Sequence, residues 1–337
     1  MQKVEVIATE DIKKLSYDEM VEYRSDIISS FISPILFALL VGLKEEIVLS
    51  LNGRDKILLR ELARAYREGD GDCGICFEYS IHSAIRKNSP LIIEQIKEAL
   101  QLCGINSKYT TSILLGFEKS KILQINDELL NTLSKDSILV TNSSKDTIQI
   151  WDYLSNMTSI FRSANRNKTL PTSISGIWKA DLLLGNPVSN MWAAASVKIN
   201  HMHLRNVKGI AIGICPTKWN KKASVHQGRE MIICHVPFDN GFMHFFYITW
   251  NVIYKFLQND AYVPHERLIP YPEQLEIAKY LESKRDTPVI ELVDDLFLKI
   301  SHKNILLPQK NPIITTNPFG EILDNKTNST IIIPNII

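Results

Sequence analysis

The stretch WKADLLLGNPVSNMWAAASVKIN, from Trp178 to Asn200, decides how this chain is read. Asn186-Pro187-Val188-Ser189-Asn190 is a short polar connector containing a proline, and apolar, β-compatible residues flank it on both sides, which predicts a hairpin. Side chains alternate faces along a strand. Lys179, Asp181 and Leu183 therefore share one side of the first strand, and Trp192, Ala194, Ser196, Lys198 and Asn200 share one side of the second. Asp181 and Lys198 are expected to face the same space. The opposite sides carry Ala180, Leu182 and Leu184 on one strand and Ala193, Ala195, Val197 and Ile199 on the other. Such an apolar surface suits a central strand pair covered by helices.

Working outward, residues 16–66 show apolar positions recurring at three and four, through Ile47-Val48-Leu49 and Leu58, Leu59 and Leu62, and predict a helical N-terminal lobe over 1–68. The apolar run Ile27 to Leu43 contains Pro34 and is followed by Lys44-Glu45-Glu46, so it reads as a buried helix or helix pair and not as a membrane span. After the break Gly69-Asp70-Gly71-Asp72-Cys73-Gly74, an amphipathic helix runs over 75–86 with Phe77, Ile81 and Ile85 four apart and Glu78 and His82 on an adjacent stripe. A second helix over 90–102 completes a segment of first core helices, 69–105. Residues 106–172, with the polar centre TNSSKDT, read as an insertion or subdomain.

From 173 to 305 the pattern is that of an α/β core. The hairpin is followed by strands in GIAIGIC (209–215) and EMIICHV (230–236), a helix over 245–258, and helices over 272–285 and 288–302. The remainder, 306–337, reads as a tail.

With 337 residues, 45% hydrophobic and 22% charged, the chain can bury a large core or two smaller ones. Its net charge of +1 excludes an argument from bulk charge, so contact with nucleic acid has to come from local clusters such as RSANRNK (162–168) or KWNKK (218–222). Five cysteines and no evident signal peptide favour reduced thiols in a cytoplasmic protein without a membrane anchor.

A helix with Glu78 in FEYSIHSAI, then a strand with Asp181 in IWKADLLLG, then a strand ending at Lys198 in AAASVKIN resembles the PD-(D/E)XK nuclease superfamily. This restriction-endonuclease-like group includes the Mrr-type enzymes and the archaeal Holliday-junction resolvases. The resemblance implies a mixed sheet flanked by helices and metal-dependent hydrolysis of DNA in a bacterial restriction or anti-phage setting. It also implies Mg2+ or Mn2+ held by Glu78 and Asp181, with Lys198 as the catalytic lysine. Hard carboxylate oxygens suit such ions, and a lysine places a compact charge at the scissile phosphate. The family pattern has an acid two residues before the lysine, where this chain has Ser196. A migrated acid such as Glu230 would have to replace it, or backbone carbonyls and water would complete the metal shell.

Around this centre, Ser196, His201, His203, Lys218, Gln227 and Arg229 are candidates for contacting the substrate. If the strand continued past Lys198, His201 and His203 would share a face. Two other readings stand beside the nuclease. Cys73 or Cys76, at the start of a helix, could act as a thiolate nucleophile with His203, His226 or His235, whereas a zinc site would need Cys73 and Cys76 completed by His201 and His203. Alternatively, a nuclease-like fold without catalysis could serve as a DNA- or protein-binding module, with a protein partner or a second copy of the chain.

Overall fold

The computed structural model describes residues 17–69, 72–115, 129, 133–142, 145–151, 154, 179–204, 209–217, 222–226, 228, 230–238, 241–268, 272–302, 321–323 and 330–332. They form an α/β protein with an open mixed sheet. The helices are α1 (Tyr17–Val41), α2 (Glu45–Ser50), α3 (Leu59–Ala65), α4 (Asp72–Arg86), α5 (Ile93–Leu102), α6 (Phe242–Gln258), α7 (Pro272–Ser283) and α8 (Val289–His302). The sheet strands are β1 (Thr111–Leu114), β2 (Ile138–Val140), β3 (Thr147–Gln149), β4 (Leu182–Asn186), β5 (Met191–Val197), β6 (Ile212–Thr217), β7 (Ser224–Val225) and β8 (Ile232–Pro237). No helix among the described residues is long and apolar enough to cross a membrane. The run from Ile27 falls within α1, which continues through Pro34.

The strand order is β1-β4-β5-β6-β8-β7. β1, β4 and β5 are antiparallel neighbours, β5, β6 and β8 run parallel, and β7 closes the far edge antiparallel to β8. On the side away from β4, β5 meets two parallel strands in succession, β2 beside Met191–Ala193 and β6 beside Ala195–Val197. The segment 106–172, expected as an insertion, thus supplies β1, β2 and β3 to the same sheet. Strands of three or four residues carry too little alternation to be read from sequence.

The expected hairpin is β4–β5, paired from Leu182↔Ala195 to Asn186↔Met191. Its turn is held by Asn186, whose Oδ1 accepts from the Val188 amide at 2.9 Å while its Nδ2 donates to the Asn106 carbonyl at 2.8 Å. Asn190 adopts φ 55° as the chain enters β5, a left-handed conformation that asparagine tolerates. Gly185 is required by close approach, because a Cβ there would lie 2.2 Å from the Met191 carbonyl oxygen and 2.8 Å from the Trp192 ring.

Both faces of the hairpin are buried. Leu183, Trp192 and Ala194 join a core cluster with Leu115, Leu139, Ile150, Leu204, Cys215 and Ile233. Leu182, Leu184, Ala193, Ala195 and Val197 on the other side are fully inaccessible. α4 covers that second face, since His82 on α4 bonds Ser112, and Ser112 is the cross-strand partner of Leu184.

The described residues divide into two units. One holds the sheet with α4 and α5 (37–43 and 67–246), and the other gathers residues up to 36, 44–66 and 247 onward. In the second unit the α7–α8 connection is tied to the start of α3. The Leu59 amide donates to Thr287 O, the Arg60 amide to Arg285 O, and the Val289 amide to Ile57 O. Within this unit the connection between the C-terminal helices α7 and α8 is therefore held against the start of α3. Association between segments so distant in sequence leaves no local pattern. Of the tail 306–337, only β9 (Glu321–Leu323) and β10 (Thr330–Ile332) are described, and they pair antiparallel.

Because the nearest atom to the added Cβ is the backbone oxygen of Met191, Gly185→Ala is expected to cost about 1–3 kcal/mol, the range of an overpacked core. Urea unfolding would show this as a lower midpoint at unchanged slope, and a wild-type midpoint would contradict the packing argument.

Candidate active site

Asp181 stands one residue before β4 and Lys198 one residue after β5, so the register that pairs Leu182 with Ala195 brings both to the same end of the sheet. The ladder continues past the strands, with the Asp181 amide donating to Ala195 O and the Lys198 amide to Ile214 O, both at 2.9 Å. Backbone pairing thus fixes both Cα positions.

Glu78 arrives from α4. Phe77, Ile81 and Ile85 form its fully buried stripe, and Phe77 meets the rings of Phe242 and Phe246 edge-on. On the next stripe His82 Nδ1 lies 2.9 Å from Ser112 Oγ. Glu78 is one helical turn earlier on that stripe, so the contact that sets the rotation of α4 over β1 also aims Glu78 at the sheet's end.

The three side chains converge. Lys198 Nζ donates to Glu78 Oε1 at 2.8 Å and to Asp181 Oδ2 at 2.7 Å. Side-chain exposure is 26% for Lys198, 19% for Glu78 and 8% for Asp181. Asp181 Oδ2 also accepts from Ser196 Oγ at 3.1 Å and from the Val197 amide at 2.8 Å. Burial acts to lower the Lys198 pKa, but Glu78 and Asp181 outweigh it and hold it above its usual 10.5. Lys198 is therefore an ammonium throughout the neutral range.

Ser196, two residues before Lys198, is buried and donates its hydroxyl to Asp181. That hydrogen bond helps to orient the carboxylate. The donor to Asp181 that sequence reading did not find is the Val197 amide, because a main-chain group has no residue-type signal.

Among the described residues no group of three His, Cys, Asp or Glu side chains forms a cage for a metal ion, and the exposed Glu230 supplies no third acid. The donors present nevertheless fit a hard divalent ion. Two carboxylates converge on one cation, and the hydrogen bonds to Asp181 all fall on Oδ2, leaving Oδ1 for a ligand. Magnesium commonly binds through one or two carboxylates, with water and substrate phosphate filling the other positions. Two carboxylates and one ammonium also leave a single net negative charge, which repels a phosphodiester until a cation is added.

The other candidates fall elsewhere. β5 ends at Val197, and His201–His203 form an exposed 3-10 turn, so the two histidines do not share a strand face. Lys218, Gln227 and Arg229 lie outside the described residues, as does 162–168. Cys73 is half-buried and its thiol is pushed up to about 11 by burial and by Asp72, while Cys76 is buried and raised further. Both remain thiols near neutral pH, the opposite of the activated thiolate expected for a cysteine hydrolase. The described histidines and cysteines likewise assemble no zinc site.

Burial and Arg86 push His82 down to about 4, so it is neutral where it bonds Ser112. A lowered folded pKa contributes stability that is complete above the unfolded value of 6.5 and is lost as pH falls towards 4. His82→Gln should therefore remove up to about 3 kcal/mol of the stability lost between pH 6.5 and 4. Denaturant titrations of both proteins at those pH values measure this, and identical acid sensitivities would contradict a buried neutral His82.

No protein-family model, curated protein or solved structure matches this chain.

Proposed function

We propose that this chain is a divalent-metal-dependent DNA endonuclease of the restriction-endonuclease type, of the kind bacteria use in restriction and anti-phage defence. The observation that carries the reading is the Lys198 ammonium, at one strand end, within 2.8 Å of two carboxylates, one from a helix and one from the neighbouring strand end, 120 and 17 residues away. The arrangement is the one that the resemblance to the PD-(D/E)XK superfamily implies. The antiparallel β1-β4-β5 run followed by parallel β5-β6, with α4 across it, also supports that reading.

In this reading Glu78 and Asp181 hold Mg2+ or Mn2+. Such an ion, when bound, lowers the pKa of a coordinated water and offsets charge gathering on the phosphorus oxygens. The chain's own residues do the rest. Ser196 Oγ, the Val197 amide and Lys198 fix the Asp181 carboxylate, so no reorganisation is needed there during reaction. Lys198 brings an ammonium, with three N–H donors, to the attacking water and the scissile phosphate. Water adds to phosphorus, one sugar P–O bond breaks, and the departing oxygen takes up a proton.

Asp181→Ala and Lys198→Ala should each lower Mg2+-dependent cutting of plasmid DNA by at least about 10²–10³-fold while circular dichroism shows a retained fold. Chelation should stop cutting and iodoacetamide should not. Cutting by both variants at the wild-type rate would eliminate this site. DNA binding without cutting in any metal would reduce the chain to a binding module.

A further inference from the structure

The turn that follows Lys198 holds an apolar side chain in water. Met202 is 70% exposed, between the exposed His201 and His203. Isolated exposed apolar residues are common on protein surfaces. What distinguishes this one is that its turn is anchored at both ends beside the candidate active site. Before it, the Lys198 amide is bonded to β6. Asn200 Oδ1 then accepts from the Met202 amide at 3.0 Å, and the His203 amide donates to Asn200 O at 2.9 Å. After it, the Leu204 amide donates to His201 O, and the Leu204 side chain is buried in the core cluster against the space above Gly213.

Successive residues of a 3-10 turn point about 120° apart, so Met202 projects with one imidazole to each side. The Cα atoms of Met202 and Lys198 are four residues of chain apart, at most about 14 Å, or about four base steps of 3.4 Å. Methionine is unbranched and polarisable, and apolar wedges of this kind enter base steps and unstack them.

We propose that Met202 is a wedge that enters a DNA base step within about four steps of the phosphate met by Lys198, with His201 and His203 hydrogen-bonding the flanking backbone. This rests on the nuclease reading and adds a substrate preference. Pyrimidine–purine steps, mismatches and other weakly stacked sites are favoured over stiff duplex.

The test uses the full chain with calcium in place of magnesium. Its probes are two duplexes carrying 2-aminopurine, one beside a mismatch and one fully paired. Anisotropy reports binding, and 2-aminopurine fluorescence reports unstacking. Wild type should bind the mismatched duplex more tightly and raise its fluorescence. Met202→Ala should abolish the rise and weaken binding to that duplex by at least about threefold, whereas Met202→Leu restores both. An equal rise with Met202→Ala, or wild-type binding with no rise, overturns the wedge and leaves the nuclease reading standing. If wild type binds neither duplex, both fall.

Discussion

Everything at the candidate site depends on one ammonium shared by two carboxylates. Lys198 bridges Glu78 and Asp181 in a partly buried setting, where removing the cation would leave two like charges facing each other with little water to screen them. Such a cluster adds little to stability compared with well-packed apolar residues of the same size, so its geometry must be held by other contacts. Those contacts are identifiable. The β4–β5 register and the bonds to Ala195 and Ile214 position Asp181 and Lys198, and the His82–Ser112 bond with the buried Phe77 stripe sets the rotation of α4.

The same arrangement shows what a serine two residues before the lysine contributes. Ser196 donates to Asp181, so the carboxylate has an oriented neighbour that adds no charge. A second carboxylate there would add to the repulsion among acids and would need a further cation to balance it. Serine instead leaves one net negative charge, which a single divalent ion converts to one net positive charge facing a singly charged phosphodiester. Under the proposed function, a phosphate would be drawn to the site once an ion is bound.

Much of this centre was legible in the sequence because its local signals were strong. The polar five-residue connector between apolar runs located the hairpin, and period-two alternation brought Asp181 and Lys198 to one end of it. Four-residue spacing on α4 set Glu78 beside the buried stripe. What sequence reading could not see was non-local or main-chain. Ser112 lies on a four-residue strand with no clear period, the Val197 amide has no residue-type signal, and the pairing of α3 with the α7–α8 connection joins segments more than 200 residues apart. Whether the two histidines after Lys198 shared a strand face was left open by the sequence, because nothing in INHMH announces where β5 ends. The Asn200 cap that starts the turn is a side-chain-to-backbone bond visible only in three dimensions.

The central claim is that Glu78, Asp181 and Lys198 act as one unit built to take a divalent cation. Its most direct test is a titration of Mn2+ into the protein, followed by electron paramagnetic resonance, for wild type and for Asp181→Asn. The account predicts one bound ion per chain in wild type and loss of that ion in the variant, with the fold intact. Binding of the same stoichiometry and strength in both proteins, or no binding by wild type at millimolar Mn2+, would contradict it.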